Sequence, residues 1–561
     1  MIDKKVEKEI NNLFLKKKFK DLIIFAEKNT TPYKRPSSVS NLIGISKIFQ
    51  KNYSEKDVKT ALDLFQETYL NDKKGPHGLN GLVHLTTIAI QFDQKYRNLY
   101  KYLSLSKDYY FEAQSNFKNN ENFLRVGFLL FKYLLDQNNL KKIINEIYKH
   151  DIKSKILRSW CLIHNNYFYD WSQKDHYNQT NLSSKLFPKL NTKKINNNEL
   201  SKDQKINIGF VSADLHLNHS TTFFLKNTIR FMDKNKFNVY IFSFAKQRPD
   251  DKSQNELRKL TGNWFDLESY DNQQTINLIQ QKDINILIDL MGYTAPDRIE
   301  IFNSRICPLQ ISWLAYCNTL GFNTVDYLIA DHNLILSDEE KYYSEKILRL
   351  PNIWNAHSGF DYERKQNDIS NKKSKIFTFG SFNNFQKISL ETIHTWSQIL
   401  KSSSNFRLIL KSSEYCSHVN LIEAFKKNKV ENQIEILDRS NYKNKKDHLD
   451  LYNKIDLALD TFPYNGVTTT FEALWMGVPV VVLKGYNFNS RCGESIIKNC
   501  NLDYFIASNQ KEYVEKSVHL ANNADELNDY RKSLFEDVLS SPLFDTKKFS
   551  ENFSNLLLKI I

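Results

Sequence analysis

Three short segments of this 561-residue chain carry residue types that can do chemistry together. The first runs Leu459-Asp460-Thr461-Phe462-Pro463-Tyr464-Asn465-Gly466-Val467-Thr468-Thr469-Thr470-Phe471-Glu472 and continues to Pro479. Its apolar start predicts a strand, Asn-Gly a tight turn, and the three threonines the opening of a helix, with Thr468 and Thr469 placed to cap it. The free first-turn N–H groups of such a helix, at the positive end of its dipole, form a site for phosphate. One threonine there is commonplace as a plain cap; three in succession after Asn-Gly favour an anion site. The helix should end at Gly477, ahead of a buried strand. The second segment, Gly380–Ile388, is a strand end followed by a polar loop carrying Lys387, a cation placed to neutralise a pyrophosphate. The third, Val211–Ser220, also follows a strand and carries His216 and His219. Either could supply a base or a polar contact, or be structural.

The elements that must position these segments alternate. After the polar stretch Leu190–Asn198, a linker candidate, short Ile- and Val-rich runs recur at Ile206–Ser212, Phe237–Phe244, Ile284–Met291, Leu309–Leu314 and Tyr327–Ala330. A second series runs through Ile376–Phe382, Phe406–Lys411, Gln433–Leu437, Ile455–Thr461 and Pro479–Leu483, separated from the first by the irregular Pro351–Lys375. Strands alternating with helix-length segments predict two doubly wound parallel α/β domains, at 200–365 and 370–561, with terminal helices on the second. Ligands of such sheets bind outside the carboxyl ends of the strands, so a cleft between the domains is expected.

Residues 1–190 read differently. Apolar residues recur at three- and four-residue spacing through Ile10, Leu13, Phe14, Leu22 and Phe25, and again through Phe123, Val126, Leu129 and Leu130. Breaks at Thr30-Thr31-Pro32, Lys73–Pro76 and Asn119-Asn120 divide them into helical hairpins. Asn41–Gly44 with Ala61 and Phe65 is similar to the small-residue and aromatic pattern of a tetratricopeptide repeat, so an all-α, degenerate repeat region is expected, with a helical bundle as the alternative.

Composition excludes other classes. Hydrophobic residues at 41% and charged residues at 25% suit a globular protein, and no apolar run approaches the length of a membrane span. The six cysteines show no CxxC pair, which argues against a zinc ribbon or disulfide framework and for a reducing, cytoplasmic setting. The opening MIDKKVEKEI lacks the apolar core of a signal peptide. The net charge of +14 comes from lysines spread along the chain, so no nucleic-acid partner is expected.

Taken in order, Asp289–Thr294, Cys307–Leu314, Tyr343–Lys346, Phe382–Lys387 and Asp460–Pro479 resemble glycosyltransferase family 41, from about residue 205 to 535. The resemblance implies a GT-B arrangement of two Rossmann-like domains and a nucleotide sugar held mainly by the second. It implies inversion at the anomeric carbon without a metal or other cofactor. By position, Lys387 and the helix start at Thr468 and Thr469 would hold the pyrophosphate, with Asn384 beside Lys387 in the donor site. Lys445 and His448 match positions that contact the nucleoside, and Glu472 one that binds ribose hydroxyls. His219 matches a histidine proposed as proton acceptor, although four residues separate it from Asp214 where three are usual, which leaves His216 as a rival. Val467 stands where relatives carry a polar residue or glycine, and Tyr293 where many bacterial relatives carry histidine, so neither offers that chemistry here.

The expected function is transfer of one sugar, N-acetylglucosamine favoured, from a UDP- or GDP-linked donor to protein side chains. The helical region would grip the acceptor polypeptide and contribute only acceptor surface. The alternatives are a glycan, lipid or small-molecule acceptor on the same fold, or an inactive helical-repeat scaffold.

Overall fold

The computed structural model describes every residue except 1, 33–34, 94, 97–98, 196–203, 218, 365–375, 412–414, 439–441 and 443. Part of the predicted linker (196–198) and of the segment between the two strand series (365–375) therefore lies outside the described residues. The chain forms two compact units, Met1–Ile152 with Ser412–Ala424, and Lys153–Lys411 with Phe425–Ile561.

The first unit is built from amphipathic helices with local stop and start signals. Ser54 and Asp57 form a capping box at the head of the helix Glu55–Asn71, and Asn120 and Asp136 cap Glu121–Tyr133 and Gln137–Lys149. Helices Ser37–Phe49 and Glu55–Asn71 meet where Gly44 faces Phe65. A Cβ on Gly44 would lie 2.6 Å from the Phe65 ring, so only glycine permits this approach. That is the packing the Asn41–Gly44, Ala61 and Phe65 pattern predicts.

The second unit holds two parallel sheets. The first comprises β1 (Ile206–Ser212), β2 (Phe237–Ser243), β3 (Asn263–Asp266), β4 (Ile286–Asp289), β5 (Leu309–Ser312), β6 (Tyr327–Asp331) and β7 (Lys346–Leu350), in the order β3-β2-β1-β4-β5-β6-β7. The second comprises β8 (Phe377–Ser381), β9 (Phe406–Lys411), β10 (Ile434–Leu437), β11 (Leu457–Leu459), β12 (Val480–Leu483) and β13 (Ile506–Ala507), in the order β10-β9-β8-β11-β12-β13. Both have the doubly wound order in which the chain reverses beside the first strand, at β1/β4 and at β8/β11. The predicted strands are present: Ile206–Ser212 and Phe406–Lys411 match their runs, β6 runs one residue further, and the others are trimmed at their ends. β3, β7 and β13 were absent from the prediction because β3 and β7 are only partly buried and mixed in polarity, and β13 has two residues.

Two parts of this unit join distant stretches of chain. Helices Lys155–Asn165 and Gln173–Ser184 pack with the first sheet domain: Leu162 and Phe187, both buried, share a core cluster with Val211, Leu287 and Tyr293. The expectation that residues 1–190 lend only acceptor surface is thereby corrected, because 153–190 form part of the body that carries the sheets. The last helix, Thr546–Leu558, returns to the first sheet domain, where Ser550 Oγ donates to the Thr228 carbonyl at 2.7 Å and Phe553 packs on Trp313. Among the described residues no helix is long and apolar enough to cross a membrane.

Candidate active site

The loops that leave β1, β4, β5, β8 and β11 line one cavity of about 420 Å³. From the first domain come Asp214, His219, Thr294 and Cys317; from the second come Asn384, Lys387, Tyr464, Val467, Thr468 and Thr469. Both switch points thus open onto the same space, each at the place where a doubly wound sheet binds ligands. Of the sequence-predicted residues, His219, Asn384, Lys387, Thr468 and Thr469 meet here.

The helix Thr468–Trp475 points its first turn at the cavity. Its N-cap is Val467, which offers no side-chain hydrogen bond, so Thr468 and Thr469 are its first two helical residues and do not cap it. The predicted capping role is corrected. Thr469 Oγ1 instead donates to Asn383 Oδ1 at 2.8 Å, and Thr470 Oγ1 to the Gly466 carbonyl at 3.1 Å. An uncapped first turn strengthens the case for an anion site, since no side chain competes for its N–H groups. The helix ends at Gly477, whose φ of +70° suits the left-handed close.

Lys387 Nζ donates to the Asn465 carbonyl at 2.9 Å and lies 4.3 Å from the centre of the Tyr464 ring. Burial lowers its proton affinity, and Asp460 opposes that shift. Tyr464 packs in turn on Tyr167, from the connection between helices Lys155–Asn165 and Gln173–Ser184, with ring centres 4.9 Å apart. Asn166 beside it accepts from Asn318 Nδ2 at 3.2 Å and from Asn489 Nδ2 at 2.9 Å, tying that connection to both sheet domains. Asn384 caps the turn that presents Lys387, accepting from the Gln386 N–H at 3.0 Å.

The remaining three predicted residues form a second cluster, at Glu472 on the same helix. Its carboxylate pairs with Lys445 and accepts from His448 Nε2 at 2.8 Å and Tyr452 hydroxyl at 3.0 Å. Lys411 Nζ lies 3.1 Å from His448 Nδ1. Burial pushes the Glu472 carboxyl up, but His448 and Lys445 outweigh it and hold the group well below the usual carboxylate range. Glu472 is therefore a fixed anion among three basic side chains. The sequence placed these residues near one another without showing that they neutralise each other.

Of the two histidines, His219 lines the cavity and caps the helix Ser220–Arg230, its Nδ1 accepting from the Thr221 N–H at 3.4 Å. With Nδ1 accepting, the neutral ring carries its proton on Nε2, which lies 3.8 Å from Asp214 Oδ1. Burial lowers the pKa of the ring, with Asp214 opposing. His216 is directed to the Leu217 carbonyl at 3.0 Å. With its free nitrogen protonated, His219 does not fit the proton-acceptor role expected for it and can act as a hydrogen-bond donor. His219→Ala should lower turnover by roughly 10² through loss of that donor, and His216→Ala should leave it near wild type, as read from single-turnover rates. Damage confined to His216→Ala would contradict this placement. Tyr293 is buried, with its hydroxyl donating to the Leu320 carbonyl at 2.6 Å, in keeping with its exclusion as a base.

Sequence reasoning assigned no role to Asn383, Asp460, Asn465, Tyr464 or Tyr167. The first four lie inside the two motif segments already quoted, where Asn465 was read only as half of the Asn-Gly turn and their place at the strand ends was the only other signal. Tyr167 carried none.

Two parallel sheets of this order facing one cleft, with a cation and an open helix N-terminus at it, define the GT-B class of two-domain enzymes. The model of glycosyl transferase family 41 matches residues 185–359 and 362–553, and the chain belongs to that family. The "Probable UDP-N-acetylglucosamine--peptide N-acetylglucosaminyltransferase SPINDLY" of Solanum lycopersicum is 30% identical over 66% of this chain and 40% of its own length. Its counterpart in Petunia hybrida is 31% identical over 64% of this chain and 39% of its own length. This chain thus spans about 40% of the length of these curated relatives. A mutant of the Thermobaculum terrenum O-GlcNAc transferase shares the fold, with a TM-score of 0.75 at 20% identity, covering 95% of this chain and all of that one.

Proposed function

We propose that this chain moves a single sugar from a nucleotide-linked donor to protein side chains, inverting the anomeric carbon and using no metal or other cofactor. The observation that carries this is the convergence of Lys387 and the uncapped helix start at Thr468 on one cavity that His219 enters from the other domain. UDP-N-acetylglucosamine is the favoured donor and a polypeptide the favoured acceptor, in line with the names of the relatives. The helical region supplies the surface that grips an extended acceptor.

The chemistry follows from charge. As the bond from the anomeric carbon to the phosphate oxygen breaks, negative charge gathers on the β-phosphate. Lys387 and the first-turn N–H groups are preorganised to meet that charge. The acceptor hydroxyl attacks the opposite face, and His219, with its proton on Nε2, serves as a hydrogen-bond donor at the cavity; the acceptor proton leaves through water or the donor phosphate. Lys445 and His448 border the nucleoside; Glu472, expected to bind ribose hydroxyls, has both carboxylate oxygens engaged by Lys445, His448 and Tyr452 and orients them instead.

The test is thermal stabilisation by a panel of UDP- and GDP-sugars, followed by transfer of labelled sugar to a protein acceptor. Stabilisation by none of the panel would overturn the reading. Because the leaving group is neutralised by Lys387 and backbone donors, transfer should be unchanged in EDTA. Activity lost in EDTA and restored by Mn²⁺ would contradict the metal-free step.

A further inference from the structure

The hydrogen bonds that shape the phosphate cavity converge on a side chain outside the eight predicted site residues. Asp460, at the end of β11, is 1% exposed. Its Oδ1 accepts from the Gly466 N–H at 2.8 Å, the Thr461 N–H at 2.9 Å and Asn383 Nδ2 at 3.1 Å. The first two come from opposite ends of the turn between β11 and the helix Thr468–Trp475, so one oxygen pins that turn shut. The third fixes Asn383, whose Oδ1 receives the Thr469 hydroxyl of the open first turn. The pinned turn also carries Asn465, which holds Lys387 through its carbonyl and is itself tied down by the Gly493 N–H at 3.1 Å. Lys387 and the helix start are therefore each within a few hydrogen bonds of Asp460. The other carboxylate oxygen, Oδ2, has no hydrogen-bond partner among the described residues. Burial pushes the carboxyl up to about 7, with the Gly466 N–H and Lys387 opposing, so its charge is present above neutral pH.

We propose that Asp460 is the positioning residue of the phosphate site, holding the turn and the Asn383–Thr469 bridge in place and keeping Lys387 a cation at the cavity. This rests on Lys387 serving the donor phosphates. The titratable groups facing Lys387 are Asp460 and the thiols of Cys492 and Cys317, with the Tyr464 ring against it. Asp460 is the carboxylate among them, and it opposes the effect of burial on the lysine. A buried ammonium without a counter-charge gives up its proton more readily. Asparagine at 460 keeps an oxygen for the three N–H donors and removes the charge, so it separates position from electrostatics.

The experiment is the pH profile of sugar turnover in the full-length protein, for wild type, Asp460→Asn, Asp460→Ala and Lys387→Met, with donor KM at the plateau. In Asp460→Asn the alkaline limb should move down by about one pH unit or more, with plateau KM little changed. Asp460→Ala should lose roughly tenfold or more in turnover at every pH, because the turn is no longer pinned. If the alanine variant does not fold, the asparagine profile carries the test. Beside an impaired Lys387→Met, an Asp460→Asn profile that superimposes on wild type would overturn the charge role of Asp460, and normal turnover by a folded Asp460→Ala would overturn its positioning role. Normal transfer by Lys387→Met would overturn both this role and the phosphate assignment beneath it.

Discussion

Replacing Lys387 by methionine should cut sugar transfer by roughly 10² or more while weakening binding of the nucleoside diphosphate much less. The donor pyrophosphate is charged before reaction, so Lys387 aids binding to some extent in the ground state. The charge on the leaving β-phosphate grows as the glycosidic bond breaks, and an interaction that strengthens along that path lowers the barrier. Lys387 is placed for this by the Asn465 carbonyl and the Tyr464 ring, which fix its Nζ at the cavity. Methionine retains the stem and its packing and removes only the charge. Thr468→Val should be milder, because the structure assigns no cap to Thr468 and the backbone donors survive its loss. Single-turnover transfer beside calorimetric binding separates the two effects. A Lys387→Met protein with normal transfer would remove this residue from the mechanism.

Deleting residues 1–190 should abolish the folded transferase rather than spare donor binding. Helices Lys155–Asn165 and Gln173–Ser184 and the following Phe187 belong to the compact body of the sheets. Phe187 is 2% exposed and packs at a tilt against Tyr293 and edge-on against Phe322 in the core of the first domain. Removing one such ring, as in Phe187→Ala, should cost about 3–5 kcal/mol, and the deletion removes Leu162, Asn166 and Tyr167 as well. The loss of Asn166 and Tyr167 also strips support from Tyr464 at the cavity. Denaturant unfolding of Phe187→Ala, and the thermal transition of a 191–561 fragment, measure both effects. A fragment that unfolds cooperatively at the temperature of the whole chain would show that these helices are dispensable.

The two Rossmann-like halves were legible because their central strands are buried on both faces. Continuous runs such as Ile206–Ser212 and Phe406–Lys411 leave little choice but a parallel sheet core. The strand, Asn-Gly turn and helix start of the candidate anion site were legible for a local reason: they are contiguous, so the backbone alone sets their geometry. Sequence order likewise brought Lys387 to the end of the first strand of its sheet. Sequence position did not reveal that Thr468 and Thr469 begin the helix without capping it, since a shift of one or two residues at a helix start depends on the turn before it. That turn is held by Asp460, whose partners Asn383 and Gly466 lie on different loops.

Contacts across long separations were decided only by the fold. Gln173–Ser184 is a polar helix on paper, yet Gln173, His176, Thr180 and Ser183 are buried in the catalytic body. Hydropathy marks such a face as solvent-directed, and only part of it is satisfied by hydrogen bonds: Gln173 Nε2 donates to Asn318 Oδ1 at 2.9 Å, while the His176 ring nitrogens and the Thr180 and Ser183 hydroxyls have no hydrogen-bond partner among the described residues. Glu472 reads as one acidic residue in a helix, and only folding sets Lys445, His448 and Tyr452 around it. The sequence thus determined the elements, their order and the residues each strand end presents, because these follow from periodicity and local backbone chemistry. Which strand ends share a cavity, and which buried charges balance one another, depended on packing between residues far apart in the chain.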